Sequence, residues 1–311
     1  MSREPRVADQ EQERPAERAL IRRAEEALDD LLAAPLAPGL YLVATPIGNL
    51  ADITLRALSV LARADVVYCE DTRHSAKLLN HYCITAKMQP FHEHNEDRAI
   101  ERALGDVEAG KRIAVISDAG TPLLSDPGFR LVRAAAERGI PVISIPGPSA
   151  ALTALTTSGL PTDAFLFAGF LPPKQAARRT RLAELAQVPA TLVLYEAPHR
   201  VAEALADMAD VLGDRPAVIA RELTKLHENT VRGTLRTLAE AGAKETLKGE
   251  IAIVVGPAKP QSVSDDAIEA RLVEALGAMS LKDAAKSIAL ELNVSKARVY
   301  ALGVKMKDRS S

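Results

Sequence analysis

The sequence predicts an α/β protein with two strand-containing domains and a small helical tail. From Gly39 onward, short apolar runs with the length of buried strands alternate with helical patterns, as in sheets covered by helices. Apolar residues make up 47% of the 311 residues, which supplies a sizeable core. Aromatic residues make up only 3% and tryptophan is absent, so we expect that core to consist of Ala, Val, Leu and Ile.

The first series of elements lies between Gly39 and Ile145. Strands are predicted at Leu40–Thr45, Val66–Cys69, Ile113–Ser117 and Val142–Ile145. Helical patterns separate them at Thr54–Leu61, Ser75–Leu79, Asp97–Glu108 and Gly128–Arg138. Because strands and helices alternate, we expect a largely parallel sheet.

A second series follows Pro161. Strands are predicted at Phe165–Ala168, Leu192–Tyr195, Ala217–Ala220, Thr230–Val231 and Ile251–Val255. Helices are predicted at Arg178–Leu185, Val201–Leu212 and Leu235–Ala241, and three short helices with no strands follow Pro257 and Pro260. We therefore predict domains at residues 39–148 and 149–258 and a helical tail at 262–311. Residues 1–38 are expected to be a flexible N-terminal extension, with a polar helix over Arg14–Leu32.

Charge and composition exclude several classes of protein. The net charge of −2 does not indicate nucleic-acid binding, so such a site must be a local patch. Two cysteines are too few for a disulfide framework, and no apolar run approaches the roughly 20 residues of a membrane span. The N-terminus lacks a signal-peptide pattern. We expect a cytoplasmic protein with no membrane partner.

Three turns rich in glycine and proline follow predicted strands. They are Thr45–Leu50, Ser117–Gly128 and Pro146–Ala150. Such turns expose backbone polar groups, and the carboxyl ends of parallel strands meet at one edge of a sheet. We therefore predict one shared ligand cleft, although the first turn alone is equally compatible with an ordinary strand–helix connection.

Within Ser117–Gly128 we assign a ligand contact to Asp118 and close backbone approach to Gly120. Asp126 and Pro127 are expected to cap the following helix instead. No G-x-G-x-x-G or Walker sequence occurs, so dinucleotide and P-loop sites lack support.

These residues resemble the small-subunit ribosomal RNA methyltransferase I family, the ribose 2′-O-methylating branch of the tetrapyrrole methylase superfamily. The twelve residues Ser117–Gly128 are similar to the family signature. The other matching segments, in chain order, are TPIGNLADIT at 45–54, EDTRH at 70–74, HEHNE at 92–96, PGPSA at 146–150, GFLPPK at 169–174, YEAPHR at 195–200, ARELTK at 220–225 and GEIAIVVG at 249–256. The likeness begins near Gly39, so it does not explain the N-terminal extension.

The resemblance implies a two-domain, class III methyltransferase fold that binds S-adenosylmethionine between its domains without a metal. It also implies homodimers and a cytidine ribose in the decoding centre of 16S ribosomal RNA as the substrate. Carried over by position, cofactor contacts fall on Pro46, Ile47, Asp118, Gly120, Thr121, Ser149 and Ala150, with Tyr195 and Ile251 as weaker candidates.

Methyl transfer to a hydroxyl requires alignment of the two reactants and benefits from a base. The polar candidates for catalysis are Asp71, Arg73, Glu222 and Lys225. A lysine with a lowered pKa can act as the base, and an arginine can hold a phosphate. The alternative is that these four residues form a structural ion-pair network.

A cluster of potential metal ligands has to be weighed against this interpretation. Its members are Cys69, His74, His81, Cys83, His92 and His94. Their spacings match no common zinc site, so we expect no metal and interpret Cys69 as a core residue.

Two basic segments are candidates for RNA contact. The first contains Lys174, Arg178, Arg179 and Arg181, with no acidic residue before Glu184. The second is a predicted helix-turn-helix in the tail, where Lys296 and Arg298 begin the second helix and Ser295 caps it. The alternatives are a solvated helix face for the first segment and a packing or dimerisation role for the second.

Two other functions remain open at this level. One is a methylase of a tetrapyrrole-like small molecule, which has no need of the basic segments. The other is a non-enzymatic nucleic-acid-binding regulator, which leaves the three turns without a purpose.

Overall fold

Two five-stranded sheets and a helical tail make up the computed structural model, which describes residues 15–92, 95–243, 248–258, 264–292 and 294–309. Both sheets belong to one compact unit that ends at Pro257, and a second unit begins at Ala258. Residues 1–14 of the predicted flexible extension and His94 lie outside the described residues.

The first sheet is entirely parallel, with the strand order β3-β2-β4-β1-β5. Its strands are β1 (Gly39–Val43), β2 (Val66–Cys69), β3 (Met88–Pro90), β4 (Arg112–Ile116) and β5 (Val142–Ile145). Four of them lie within two residues of their predicted bounds. β3 was not predicted, because three residues are too few to show a strand pattern. It ends in proline, which strands tolerate mainly at a sheet edge, where β3 lies.

Helices cover both faces of this sheet and return the chain to the start of each next strand. They are α2 (Leu55–Arg63), α3 (Thr72–His81), α4 (Glu96–Glu108) and α5 (Phe129–Glu137). Successive residues of β1 point to opposite faces, so Leu40 packs with Leu131 and Ile113 on one face while Tyr41 packs with Leu61 on the other. The parallel sheet expected from the strand–helix alternation is therefore present.

Part of the N-terminal extension is the helix α1 (Pro15–Ala33), which agrees with the predicted helix. None of its residues is fully buried. The carbonyl of Leu31 accepts hydrogen bonds from Ser59 Oγ (3.0 Å) and Arg63 Nη1 (2.7 Å) on α2. The helix is thus attached to α2 near its C-terminal end.

The second sheet has the order β6-β7-β10-β8-β9 and is mostly antiparallel, with only β6 and β7 parallel. Its strands are β6 (Phe165–Phe170), β7 (Thr191–Glu196), β8 (Pro216–Arg221), β9 (Asn229–Thr234) and β10 (Ile251–Val255). The accompanying helices are α6 (Ala150–Ser158), α7 (Gln175–Leu185), α8 (Val201–Leu212) and α9 (Leu235–Gly242).

The two faces of the second sheet have different neighbours. Leu182, Leu205 and Leu238 of helices α7, α8 and α9 pack on one face. On the other face, Ala154 and Leu155 of α6 pack together with Ile47, which belongs to the turn after β1. The second sheet is therefore joined through an apolar core to a turn of the first sheet.

A buried ion pair joins α7 to α8 and corrects one RNA-contact prediction. Arg178 is only 1% exposed, and its Nε donates to Asp207 Oδ2 over 2.7 Å. Asp207 also accepts from Arg179 Nη1 at 2.9 Å. Arg178 consequently cannot reach a phosphate, and it is not part of a solvated helix face either. The sequence pattern did not reveal this ion pair, because Asp207 lies in the next helix, 29 residues along the chain.

The tail consists of α10 (Asp265–Leu276), α11 (Leu281–Glu291) and α12 (Lys296–Arg309). Serines cap these helices: Ser264 accepts from Ala267 N, Ser280 from Asp283 N, and Ser295 Oγ from Arg298 N at 3.2 Å. The predicted cap at Ser295 is present. Ile268, Leu272, Ile288 and Val299 form a small separate core.

Across the described parts of the chain, no helix has both the length and the apolar character that a membrane crossing requires.

Replacing Asp207 by asparagine should destabilise the protein by about 3–5 kcal/mol, because the buried charge of Arg178 would keep only the exposed Glu203, 3.6 Å away, as a counter-ion. Chemical denaturation measures this change. The matched control is Asp210→Asn on the same helix, which removes only the exposed pair with Arg179 and should cost about 0–1 kcal/mol. Equal losses in the two variants would contradict a structural role for the buried pair.

Candidate active site

The turns after β1 and β4 are joined by two backbone hydrogen bonds at the carboxyl edge of the first sheet. Thr45 N donates to Gly120 O over 2.8 Å, and Gly120 N donates back to Thr45 O over 3.0 Å. Gly120 has φ +81°, a left-handed conformation that favours glycine, and an added Cβ would lie 3.2 Å from Ile47 Cγ2. Glycine here therefore permits both the turn and the close contact with Ile47.

The third turn, after β5, closely approaches Ala44, the residue just before the first turn. A Cβ on Gly147 would lie 2.9 Å from the Cβ of Ala44. Thr121 Oγ1 donates to Pro148 O over 3.1 Å, which ties the second turn to the third. The three glycine- and proline-rich turns thus meet, as predicted from their positions after strands.

These turns form one wall of a cavity of about 420 Å³, a volume within the usual range for small-molecule sites. The first-sheet wall consists of Ile47, residues 118–121, residues 124–126, Ser149 and Ala150. The opposite wall comes from the second sheet and its loops: Phe170, residues 195–198, Ala220, Leu223 and residues 249–252. Eight of the nine predicted cofactor contacts line this cavity; Pro46 is the one that does not.

The start of α6 presents polar groups to the cavity. Ser149 is 6% exposed, and its Oγ has no hydrogen-bond partner among the described residues. The neighbouring Ala151 N–H donates to the hydroxyl of Tyr195 over 3.0 Å. A buried hydroxyl without a partner is unfavourable, so Ser149 is suited to bond a ligand in the cavity.

Two carboxylates of the Ser117–Gly128 segment line the cavity. Asp118 Oδ1 accepts a hydrogen bond from Asp71 N at 3.2 Å. Burial raises the pKa of Asp126 to about 6; the nearby Glu70 and Asp118 add to this effect, whereas a hydrogen bond with Ser117 opposes it. Asp126 is therefore close to its ionisation point near neutral pH.

The predicted capping role of Asp126 and Pro127 is wrong. Helix α5 begins at Phe129 and its N-cap is Gly128, which provides no side-chain bond. Leu123 and Ser125 have positive φ values of 73° and 71°, so the chain is still in irregular turns at Asp126. Helix α5 starts within one residue of its predicted start at Gly128, but Asp126 lines the cavity and does not cap the helix.

Glu196 and Glu250 are cavity carboxylates that the sequence analysis did not single out. Glu196 is almost fully buried, accepts from Ala197 N at 2.8 Å and pairs with Arg200 at 3.2 Å. Both residues lie within segments quoted above for their resemblance, YEAPHR and GEIAIVVG. Their position in those segments could have identified them as site residues, whereas the residue type alone could not.

None of the four predicted catalytic side chains lines the cavity. Asp71 caps α3 by accepting from Arg73 N (2.8 Å) and pairs with the Arg73 guanidinium (3.2 Å), whose side chain is 90% exposed. Lys225 Nζ pairs with Glu222 Oε1 (2.9 Å) and Glu250 Oε2 (3.3 Å). Each of the two pairs contacts a cavity residue, Asp118 or Glu250, so they support its walls.

A lowered lysine pKa is not found. Partial burial of Lys225 disfavours its charge, but Glu222 and Glu250 outweigh burial and raise its pKa. The prediction that Lys225 is a base by virtue of a lowered pKa is wrong. The alternative, a structural ion-pair network, describes Lys225, Glu222 and Glu250 better.

The remaining candidates for RNA contact differ in whether their side chains form ion pairs. Arg179 pairs with Asp207 and Asp210, Arg181 pairs with Glu184 (2.7 Å), and Arg298 pairs with Asp265 (2.6 Å). Lys174 is exposed and has no ion pair among the described residues. Lys296 borders a shallow groove of the tail together with Lys282 and Tyr300.

The cysteine and histidine cluster does not form a metal site within the described residues. Cys69 is a buried core residue, as expected.

Comparison with known proteins decides the family. The model of the family "Tetrapyrrole (Corrin/Porphyrin) Methylases" matches residues 39–239. The ribosomal RNA small subunit methyltransferase I of Mesorhizobium japonicum is 51% identical over 90% of this chain and 96% of that relative. The chain belongs to this family of tetrapyrrole methylases. The relative of the same name from Vibrio cholerae is 44% identical over 86% of this chain and 95% of its own length.

Solved structures of two other methyltransferases share the fold. A cobalt precorrin-4 methyltransferase of cobalamin biosynthesis superposes with a TM-score of 0.54 at 19% identity, covering 70% of this chain and 94% of that one. A uroporphyrin-III C-methyltransferase of Thermus thermophilus, complexed with S-adenyl homocysteine, gives 0.50 at 22% identity, covering 70% and 97%. At these identities the likeness concerns the fold, and the predicted fold class is confirmed.

The family assignment confirms the predicted enzyme class and cofactor. This tetrapyrrole methylase is an S-adenosylmethionine-dependent methyltransferase. The cavity fits such a cofactor, because it offers apolar walls, the unpartnered Ser149 hydroxyl and several carboxylates to a ligand that carries positive charge.

Replacing Ser149 by alanine should weaken S-adenosylmethionine binding by about 2- to 10-fold, since one hydrogen bond is lost. It should not destabilise the free protein, because the hydroxyl has no partner there. Calorimetry and thermal unfolding measure the two effects.

Ser158→Ala at the other end of α6 is the control. Its buried hydroxyl donates to Leu155 O (2.7 Å), so its loss should lower stability and leave cofactor affinity unchanged. An unchanged affinity in the Ser149 variant would remove Ser149 from the binding site.

Proposed function

We propose that this tetrapyrrole methylase transfers a methyl group from S-adenosylmethionine to the ribose 2′-hydroxyl of a cytidine in the decoding centre of 16S ribosomal RNA. The observation that carries the proposal is that eight predicted cofactor contacts line a single cavity. The matching relatives named ribosomal RNA small subunit methyltransferase I support an RNA substrate.

The cofactor contacts are assigned to Asp118, Gly120, Thr121, Ser149 and Ala150 on the first-sheet wall. When bound, S-adenosylmethionine supplies an activated methyl group. The protein has to hold the ribose hydroxyl in line with that group, and a cavity between two rigid sheets is suited to this task.

Asp126 is our candidate for the proton acceptor. Bound S-adenosylmethionine would supply the methyl group to the ribose oxygen, and the Asp126 carboxylate would accept the proton that the hydroxyl releases. Asp126 lines the cavity, and a pKa of about 6 leaves it ionised at neutral pH while keeping it more basic than an ordinary aspartate. Asp71, Arg73, Glu222 and Lys225 then serve to position the walls.

RNA contact is assigned to Lys174 near the start of α7 and to Lys296 in the tail. Both are exposed lysines, and neither has an ion pair among the described residues. In the tail, Lys282 lines the same groove as Lys296, and together they offer two charges to phosphates. Arg179, Arg181 and Arg298 must first give up acidic partners, so we rank them lower.

A small tetrapyrrole-like substrate is the competing proposal. Solved tetrapyrrole methyltransferases share the fold at only 19–22% identity, whereas ribosomal RNA methyltransferases match at 44–51%. The RNA substrate is therefore preferred. A purely regulatory role is not compatible with the enzyme class. Homodimer formation and a cytoplasmic location stay predictions.

Mass spectrometry of 16S RNA tests the proposed function. RNA from a strain that lacks the protein should miss one ribose methyl group, and the wild-type gene should restore it. The Asp118→Ala variant should not restore it, because its cofactor affinity falls. An unaltered set of methyl groups in the deletion strain would contradict the proposal.

The pH profile of kcat/KM tests Asp126. For the wild type, kcat/KM should rise with pH up to about 6 and then level off, because only the ionised carboxylate accepts a proton. In Asp126→Asn this rise should disappear and the rate should fall by about 10²- to 10⁴-fold.

Glu250→Gln is the matched control, since it neutralises another cavity carboxylate and should keep the pH-dependent rise. An Asp126→Asn variant with the wild-type pH profile would exclude Asp126 as the base.

A further inference from the structure

An aromatic ring lies at the mouth of the cavity. Phe170 lines the cavity and is 54% exposed, whereas Ala220, Ile251 and Ala252 in the same wall are buried. The chain contains only five phenylalanines, five tyrosines and no tryptophan. A large apolar ring left open to solvent beside a binding cavity is a candidate contact surface.

A β-bulge directs this ring toward the cavity. In the pairing of β6 with β7, Phe167 lies opposite Val193 and Gly169 lies opposite Leu194, so Ala168 is the extra residue. Because of this insertion Phe170 comes to lie opposite Tyr195, on the same face of the sheet as Phe167 and Val193. Without the bulge, Gly169 would take this place and no ring would reach the mouth.

The ring is held by a fixed neighbour. Its centroid is 5.6 Å from that of Tyr195, at an interplanar angle of 61°. Tyr195 is itself restrained by Phe167, at 4.9 Å, and by the hydrogen bond that its hydroxyl accepts from Ala151 N. One edge of Phe170 is therefore packed while the rest remains available to a ligand.

We propose that Phe170 is the stacking surface for the nucleobase of the nucleotide whose ribose is methylated. The inference rests on the proposed function, and it names how the same site holds its RNA. Unpaired bases of RNA commonly stack on aromatic side chains, and enzymes acting on one nucleotide take it out of the helix. Because a base is attached directly to its ribose, a nucleotide whose ribose lies inside the cavity places its base near the mouth.

The adenine of the cofactor is the competing occupant of this surface. Six of the eight predicted cofactor contacts in the cavity lie on the first-sheet wall. Phe170 belongs to an edge strand of the second sheet, whose wall carries only the two weaker candidates, Tyr195 and Ile251. Stacking of the substrate base predicts a defect toward RNA alone, while stacking of adenine predicts a defect in cofactor affinity.

The absence of tryptophan allows a direct measurement. Phe170→Trp introduces the only indole, which keeps an aromatic surface at this position and should lose fluorescence when small ribosomal subunits are added. Phe165→Trp is the matched control, because it places an indole at the other end of β6, at a half-exposed position outside the cavity wall. Its fluorescence should not respond.

Kinetics with Phe170→Leu and Phe170→Trp complete the test. The leucine variant should lose about tenfold or more in kcat/KM for RNA, with unchanged affinity for S-adenosylmethionine, and tryptophan should restore the rate. A fall in cofactor affinity would assign the ring to adenine and overturn the inference. Wild-type kcat/KM in the leucine variant, or equal quenching of both indoles, would overturn it as well.

The two levels of proposal remain distinguishable. If the wild type methylates no small-subunit RNA, the proposed function fails, and this inference fails with it. If the wild type does so and Phe170→Leu behaves identically, only the stacking surface is refuted.

Discussion

The parallel direction of all five strands in the first sheet is the constraint on which the site depends. It brings the carboxyl ends of β1, β4 and β5 to one edge, where Thr45 and Gly120 exchange two backbone hydrogen bonds. Those bonds pair backbone groups that would otherwise have to find other partners in a buried turn. The geometry of the cavity therefore follows from the backbone, and its side chains occupy positions that the sheet has already determined.

The second sheet closes this edge by apolar packing. Helix α6 begins at the cavity with Ser149, and its later residues Ala154 and Leu155 enter the core beneath the second sheet. Ile47 from the first turn enters the same core. A displacement of either sheet would expose this shared apolar surface to water, so burial keeps the two walls together.

Charged residues of this protein serve structure more often than their sequence pattern indicates. Arg178 lies in a basic segment but neutralises Asp207 in the interior, and Lys225 lies between two carboxylates. Burying a charge without a partner is costly, and the partners come from elements distant in the chain. In the cavity, the carboxylate whose pKa is clearly raised is instead that of Asp126. This residue follows Leu123 and Ser125, whose positive φ values are not helical.

The sequence alone determined the order of most elements, the parallel first sheet, the three turns and eight of the residues that line the cavity, because these depend on local patterns and on motif resemblance. It missed β3, the position of Asp126 in the cavity wall and the bulge that directs Phe170, and it wrongly gave Asp126 and Pro127 a capping role. The tertiary structure alone decided which charges are paired, that the second sheet is mostly antiparallel, and which side chains face the cavity. The physical reason is that local propensity acts over a few residues, whereas pairing, burial and strand register depend on neighbours far apart in the chain.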